Sequence, residues 1–187
     1  MGVGMKFIVG KNIYLRLLES GDADGNYRNW FNDEEVCGGN SHHVFPQNIE
    51  DIKEYITTSR SSRNNLILAI ILQDGNRHVG NIALQNINTV VHSAELSIVI
   101  GEKTHWGMGI GKEAFKLMCK HGFDEMNLSR IGCGTFETNI GMIKVAESVG
   151  MKEEGRRRCA AYKRGKFLDI LEYGLLKREW EEMVGLE

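Results

Sequence analysis

Apolar residues along this chain recur with two different periods, and the alternation between them outlines the fold. In residues 6–18, Ile13, Leu15 and Leu17 share one face and Tyr14 and Arg16 the other, the two-residue period of a strand. Residues 20–32 open on Ser20 and Asp22, both capping types, and carry Tyr27, Trp30 and Phe31, which predicts a helix. After a polar loop, CGGNSHHVFPQ, Asn48 precedes Asp51 at the spacing of a capping box, and Ile49, Ile52 and Ile56 form the stripe of a second helix. Residues 66–73 read as a buried strand, Asp74-Gly75-Asn76 as a hairpin turn and 77–85 as the returning partner. Residues 94–100 add a third strand, with Leu96, Ile98 and Ile100 on one face. A helix is predicted over 110–125, where Ile110, Ala114 and Met118 align, then a strand over 131–137 and a helix over 140–149 ended by Gly150. Two strands, 153–162 and 167–176, close the chain around a turn at 163–166. The sum is an α+β protein, a single domain over residues 1–187 with a central twisted mixed sheet of about six or seven strands flanked by helices.

One stretch does not belong to either period. HWGMGIGKEA places Gly107, Gly109 and Gly111 at alternate positions between a strand ending near Ile100 and a helix beginning near Ile110. A helix N-terminus offers unpaired N–H groups and a partial positive charge, and glycines there let a phosphate approach the backbone without meeting a Cβ. A Walker loop would need glycine at Trp106 and a hydroxyl at Glu113, and a dinucleotide fingerprint would need glycine at Lys112 and a preceding first strand of a βαβ unit. Both fail on residues that matter to their mechanism.

The order strand, W-G-M-G-I-G, helix, strand, N-x-G-M-I-K, helix, G-M resembles the GNAT superfamily of acetyl-CoA-dependent N-acetyltransferases. Trp106 takes the Q/R position of the family loop Q/R-x-x-G-x-G/A, and Gly109 and Gly111 are its two glycines. ETNIGMIKVAESVGMKEEG and EYGLLKREW are similar to the branch containing ribosomal-protein alanine acetyltransferases and nucleotide-amino-sugar acetyltransferases. The resemblance covers about residues 10–180. It implies acetyl-CoA as cosubstrate, with its diphosphate on the loop of Trp106, Gly107, Met108, Gly109, Ile110, Gly111 and Lys112, and its amide arm on the main chain of Ile98, Val99 and Ile100. Asn139 would reach the arm or cap the next helix, and Lys144 would approach the cofactor. Lys116 and Lys120 follow Lys112 at helical spacing and read as a solvated face. Two positions depart from the pattern: Met142 stands where serine is common, and Ala146 where many members place a tyrosine acid.

Acetyl transfer to an amine needs a proton acceptor, because an alkylammonium of pKa about 10.4 is only ~0.04 % deprotonated at pH 7. Glu95 is the candidate catalytic base, opening the strand that feeds the glycine loop, with its side chain opposite Leu96, Ile98 and Ile100; the family often uses a glutamate there. His78, His92 and Asn81 are the weaker options. The acceptor would bind beneath NWFNDEEVCGGNSHHVFP, where Trp30, His42, His43 and Phe45 are the candidate substrate-binding residues, Trp30 doubling as a core candidate. The W-x-N-D-x-x-V pattern there is similar to enzymes acting on nucleotide-linked amino sugars, and Arg156 and Arg158, on one face of a strand, would suit a diphosphate. Protein N-termini and polyamines are the alternatives, and a non-catalytic acyl-CoA-binding sensor is the rival from another class.

Composition removes other partners. A net charge of −2 provides no field for nucleic acid, and no run approaches the roughly 20 apolar residues of a membrane span. The N-terminal MGVGMKFIVG lacks the apolar core of a signal peptide, and four scattered cysteines suit reduced thiols in a cytoplasm, with no metal site. The expected partner is a small-molecule amine in preference to a protein; strand pairing between two copies would give a homodimer, which no residue pattern compels.

Overall fold

The computed structural model describes residues 5–185, so the first four residues of the N-terminal segment read above, and the last two of the chain, lie outside the described residues. In chain order the elements are β1 (Ile8–Val9), β2 (Ile13–Leu17), α1 (Tyr27–Trp30), α2 (Ile49–Ser61), β3 (Leu66–Leu72), β4 (His78–Asn88) and β5 (Ser93–Ile100). They continue with α3 (Ile110–Asp124), β6 (Arg130–Phe136), α4 (Ile140–Ser148), β7 (Lys152–Lys163), β8 (Lys166–Leu176) and α5 (Lys177–Val184). The eight strands form one sheet in the order β1-β2-β3-β4-β5-β6-β8-β7, antiparallel throughout except for the parallel pair β5–β6. The strand count exceeds the expected six or seven because the chain doubles back after Val9: Ile8 pairs with Leu15 and Val9 with Tyr14, so one expected strand is two.

Alternation along the strands separates two cores. Ile13, Leu15, Leu68, Ile82 and Leu96 face α3, α4 and α5, where Phe115, Met118, Ala146 and Trp180 meet them. Tyr14, Ala69, Ile71 and Ala83 face the other way, onto Tyr27, Trp30, Ile52 and Ile56 of α1 and α2. The capping box of α2 forms with both bonds, Asp51 N–H to Asn48 Oδ1 at 3.0 Å and Asn48 N–H to Asp51 Oδ2 at 2.8 Å. The helix expected over 20–32 is instead a 3-10 segment, Ser20–Asp24, followed by the four-residue α1. Asp22 bends the chain there: its carboxylate takes both Arg16 nitrogens, at 2.8 and 2.6 Å, and the Glu19 N–H. Helix α5 was not foreseen; Glu179 accepts from the Leu176 N–H at its start, and Trp180 is buried against Phe123.

The helices on the α1/α2 side cover β2 to β5 and leave the same face of β6, β8 and β7 without a helical layer. The parallel pair β5–β6 holds register only at Ser93–Arg130, Ala94–Ile131 and Glu95–Gly132. Beyond Glu95 and Gly132 the two strands part, opening a V in the middle of the sheet.

Candidate active site

The open edges of the V are decided by strand alternation. Gly101 N–H donates to Val79 O at 2.9 Å, so Val99 also turns its main chain toward β4, where it pairs with Asn81. Leu96, Ile98 and Ile100 therefore turn N–H and C=O toward the V. Of the three residues expected to pair with the cofactor arm, Ile98 and Ile100 have the right orientation and Val99 does not. The Ile100 carbonyl accepts the Trp106 indole N–H at 2.7 Å, which ties the glycine loop to the end of β5. On the opposite strand, Lys177 N–H to Ser129 O and Glu137 N–H to Asp169 O place the odd-numbered residues of β6 on β8. Gly132, Gly134 and Phe136 thus face the V.

The glycine loop has the geometry expected of a phosphate cradle. Gly107 and Gly109 sit at φ 74 and 80, and a Cβ on either would project into open space. Gly109 is the N-cap of α3 and has no side chain to occupy the helix's first N–H groups. Ile110 is 6 % exposed and anchors the helix start in the first core, while Lys112, Trp106 and Met108 are exposed beside it. Gly111 works differently from its two neighbours: it lies inside α3, and a Cβ there would come within 3.3 Å of Val145, so it permits close approach of α3 and α4. Lys120 pairs with Asp124 one turn on, a solvated helix face as expected. Lys144 is exposed on α4. Asn139 caps α4 by accepting from Met142 N–H at 3.1 Å, and its amide nitrogen donates to Gly39 O at 3.1 Å. Both of its polar atoms are engaged within the protein, so capping and loop anchoring account for it.

On the α1/α2 side of the V lies a cavity of about 740 Å³. Its floor is Gln85, Glu95 and Ser97 from β4 and β5, Gly132 and Gly134 from β6, Glu172 from β8 and Arg157 from β7, and its roof is Gly39 to His42. Glu95 is exposed and accepts from Asn86 Nδ2 at 3.1 Å; Ser97 Oγ donates to Gln85 Oε1 at 3.2 Å. The two arginines of the wall are committed: Arg157 Nε meets Glu172 Oε1 at 2.6 Å, and Arg130 forks onto Glu154. Arg156, on the opposite face of β7 from Arg157, is held by Glu137 at 2.9 Å and Asp169 at 3.1 Å. A bulge between Arg157 and Ala161 breaks the simple alternation expected for Arg158. A smaller hollow of about 270 Å³, between Ser20 and the end of α2, lies apart from the V and contains no cluster of acids and bases.

The roof is a closed loop. Asn32 binds both backbone groups of Gln47, accepting from N–H at 2.9 Å and donating to O at 2.7 Å. The β7–β8 hairpin tip then holds it down through Arg164 on Glu34 at 2.9 Å and Lys163 Nζ on His42 O at 2.7 Å. The His42 ring packs tilted against Phe31 with centroids 4.5 Å apart, His43 lies 3.4 Å from Phe31 O at φ 66, and Phe45 is 80 % exposed on the rim. Trp30 is a correction. It is 2 % exposed, edge-on to His78 at 4.9 Å, with its indole N–H on Glu102 at 3.1 Å, so it is a core residue and presents nothing to a substrate. His78, the reserve base, is partly buried against Tyr27 and Trp30; desolvation pulls its pKa down, with the Asp22 charge acting against that.

Sequence reasoning missed Gln85, Ser97, Gly132, Gly134, Thr135, Arg157 and Glu172. One signal was available: IGCGTF sets two glycines on one face of a strand, the mark of a site where something approaches the backbone closely.

Known proteins share both sequence and fold with this chain. The family model described as the acetyltransferase (GNAT) domain matches residues 12–152. A Bacillus subtilis (strain 168) protein provisionally named as the ribosomal N-acetyltransferase YdaF is 30 % identical over 92 % of this chain and 96 % of its own. The uncharacterized N-acetyltransferase p20 of Bacillus licheniformis is 26 % identical over 94 % of this chain and 99 % of its own. The structure of spermidine N-acetyltransferase from Vibrio cholerae, in complex with CoA and spermine, superimposes with a TM-score of 0.83 at 20 % identity, covering 90 % of this chain and 98 % of that one. The fold, the parted strands and the family match agree, and the chain belongs to the GNAT acetyltransferases as an acetyl-CoA-dependent N-acetyltransferase.

Proposed function

We propose that this enzyme acetylates the free α-amine of a polypeptide, with Glu95 as the proton acceptor and attack within a ternary complex. The observation that carries the reading is the state of the charges around the cavity. Arg130 and Arg157, the two arginines of its wall, are each spent on carboxylates, whereas the Glu95 contact is the neutral Asn86 amide. A diphosphate acceptor at that wall would have to break those ion pairs, and Arg156, one of the two arginines expected to hold it, is paired with Glu137 and Asp169 on the other face of β7, which argues against a nucleotide-linked amino sugar. A cationic amine meets a carboxylate placed where β5 and β6 part. The relative named as a ribosomal N-acetyltransferase, similar along nearly its whole length, supports a polypeptide over a polyamine.

Acetyl-CoA supplies an activated acyl carbon and a thiolate leaving group. The N–H groups of Met108 through Lys112 and the positive end of α3 would hold its diphosphate. The main chain of Ile98 and the N–H of Ile100, whose carbonyl already accepts from Trp106, would align its arm as an added strand. Glu95 takes a proton from the ammonium, directly or through one water, and the freed amine attacks the thioester carbonyl; the C–N bond forms, the C–S bond breaks with the thiolate leaving, and the nitrogen's second proton passes to solvent. Ala146, fully buried, offers no proton to the departing sulfur. A thiol of pKa near 8.5 leaves as the thiolate without much help, so the absent tyrosine is tolerated.

The test is a panel of a peptide with a free N-terminus, spermidine and a nucleotide-linked amino sugar, each with acetyl-CoA, read by mass spectrometry. The peptide is acetylated on its α-nitrogen, and Glu95→Gln lowers kcat by roughly 10²–10⁴ with acetyl-CoA affinity kept and partial rescue at high pH. Turnover of the sugar alone would overturn the acceptor assignment. Cofactor binding without turnover on any amine would make the chain a sensor, and a Gln variant with wild-type kcat/KM would remove Glu95 from the chemistry.

A further inference from the structure

Thr135 lies on the splayed arm of β6, three residues beyond Gly132, the last residue paired with β5. Alternation puts its side chain on the face of Ile131 and Cys133, toward α3 and α4, and those two are packed in the first core. Cys133 is an inert thiol, its pKa pushed up to about 12 by burial and then by the nearby Glu172 charge. Thr135 is as enclosed, only 5 % exposed, yet its hydroxyl has no hydrogen-bond partner. Its main chain is already paired with Leu171 of β8, so the strand itself has no use for the hydroxyl. Valine has the same shape, suits a strand equally well and would avoid burying an unpaired polar group. A threonine here therefore costs the free protein stability, and a group that completes its hydrogen bond would recover it. Thr135 is also among the residues around the V, with its side chain on the α3/α4 side, the side from which the glycine loop and the start of α3 face the parted strands. The hydroxyl that Met142 fails to supply from α4 is thus available from β6, the strand on which α4 packs.

We infer that Thr135 is a positioning residue for acetyl-CoA, its hydroxyl hydrogen-bonding an amide of the pantetheine arm where the arm lies between the parted strands. The role is separate from the glycine loop, which addresses the diphosphate, and from Glu95, which addresses the amine. It rests on the family assignment and is independent of which acceptor the enzyme uses.

The experiment compares Thr135→Val and Thr135→Ser with wild type by calorimetry with CoA and with acetyl-CoA, by thermal melting of the free protein, and by steady-state kinetics. The Val variant melts at the wild-type temperature or above. It binds both CoA and acetyl-CoA ~3–10-fold more weakly, the range of one neutral hydrogen bond. Its KM for acetyl-CoA rises in step, kcat holds within about twofold, and Ser restores the affinity. If the Val variant does not fold, Thr135→Ala carries the same expected loss for both ligands. Unchanged CoA affinity in the Val variant overturns the inference, as does a lower melting temperature with normal binding, which would make the hydroxyl purely structural. A loss confined to acetyl-CoA would place the hydroxyl on the acyl group and overturn the assignment to the arm.

Discussion

Replacing Gly109 by alanine separates the cost of backbone strain from the cost of blocking the loop. Gly109 holds φ 80 and ψ 0 as the N-cap of α3. An L-residue in that left-handed conformation costs about 1–2 kcal/mol. No heavy atom lies within 4 Å of the added Cβ, so no clash is added to the strain. In a protein of this size the melting temperature should drop by roughly 2–4 °C per kcal/mol. The effect on CoA is larger, because the methyl stands on the open side of the loop, where a diphosphate must come to reach the first N–H groups of α3. Loss of one charge-assisted hydrogen bond, about 1.5–3 kcal/mol, corresponds to about 10- to 100-fold in affinity. Gly165→Ala is the control: it lies at φ 78 in the β7–β8 turn, also with open space around the added Cβ. Calorimetry with CoA and melting of both variants should show equal losses of stability and a loss of affinity in Gly109→Ala alone. A Gly109→Ala protein that binds CoA within about twofold of wild type would refute the cradle and leave the loop a simple turn.

Trp106→Phe removes the bond to the Ile100 carbonyl and so unties the loop from β5; KM for acetyl-CoA should rise about 3–10-fold with kcat maintained, measured by steady-state kinetics. Acid stability should fall in two stages. Burial keeps folded His78 neutral, its pKa held below the unfolded value near 6.5, so stability is lost as pH falls through about 6.5 toward that lower value. Asp22 is opposed by burial but held below the carboxylate range by the Arg16 hydrogen bonds and the His78 charge; its contribution is present above the unfolded value near 3.8 and is lost as pH falls toward the folded one. Melting temperature followed from pH 7 to 3 should decline in both windows, and His78→Gln should flatten the first; an unchanged slope in that variant would exclude His78 as its source.

The elements legible in the sequence were those whose signals lie among close neighbours. The α2 capping box, the stripe of α3 and the left-handed glycines before it each follow from residues within a turn or two, and they formed as the pattern implies. The turn after Lys163 was equally local: Arg164 and Gly165 take φ 49 and 78, the two positive values a tight hairpin requires. Where local signals conflicted with long-range contacts, the contacts prevailed. The aromatic run Tyr27, Trp30, Phe31 promised a long helix and a stacking surface. The Arg16–Asp22 pair instead bends that segment and burial takes Trp30 into the core. The site divides in the same way. Trp106, Gly107 and Gly109 could be named from the sequence because a loop and a helix start are contiguous in it. Glu95 could be named as well, because it opens the strand that feeds the loop; Ser97, Gly134, Thr135, Arg157 and Glu172 come from four strands, and only sheet order and register bring them beside it. The V itself forms because β5 and β6 hold register for only three residue pairs, a long-range feature that no short stretch of sequence encodes.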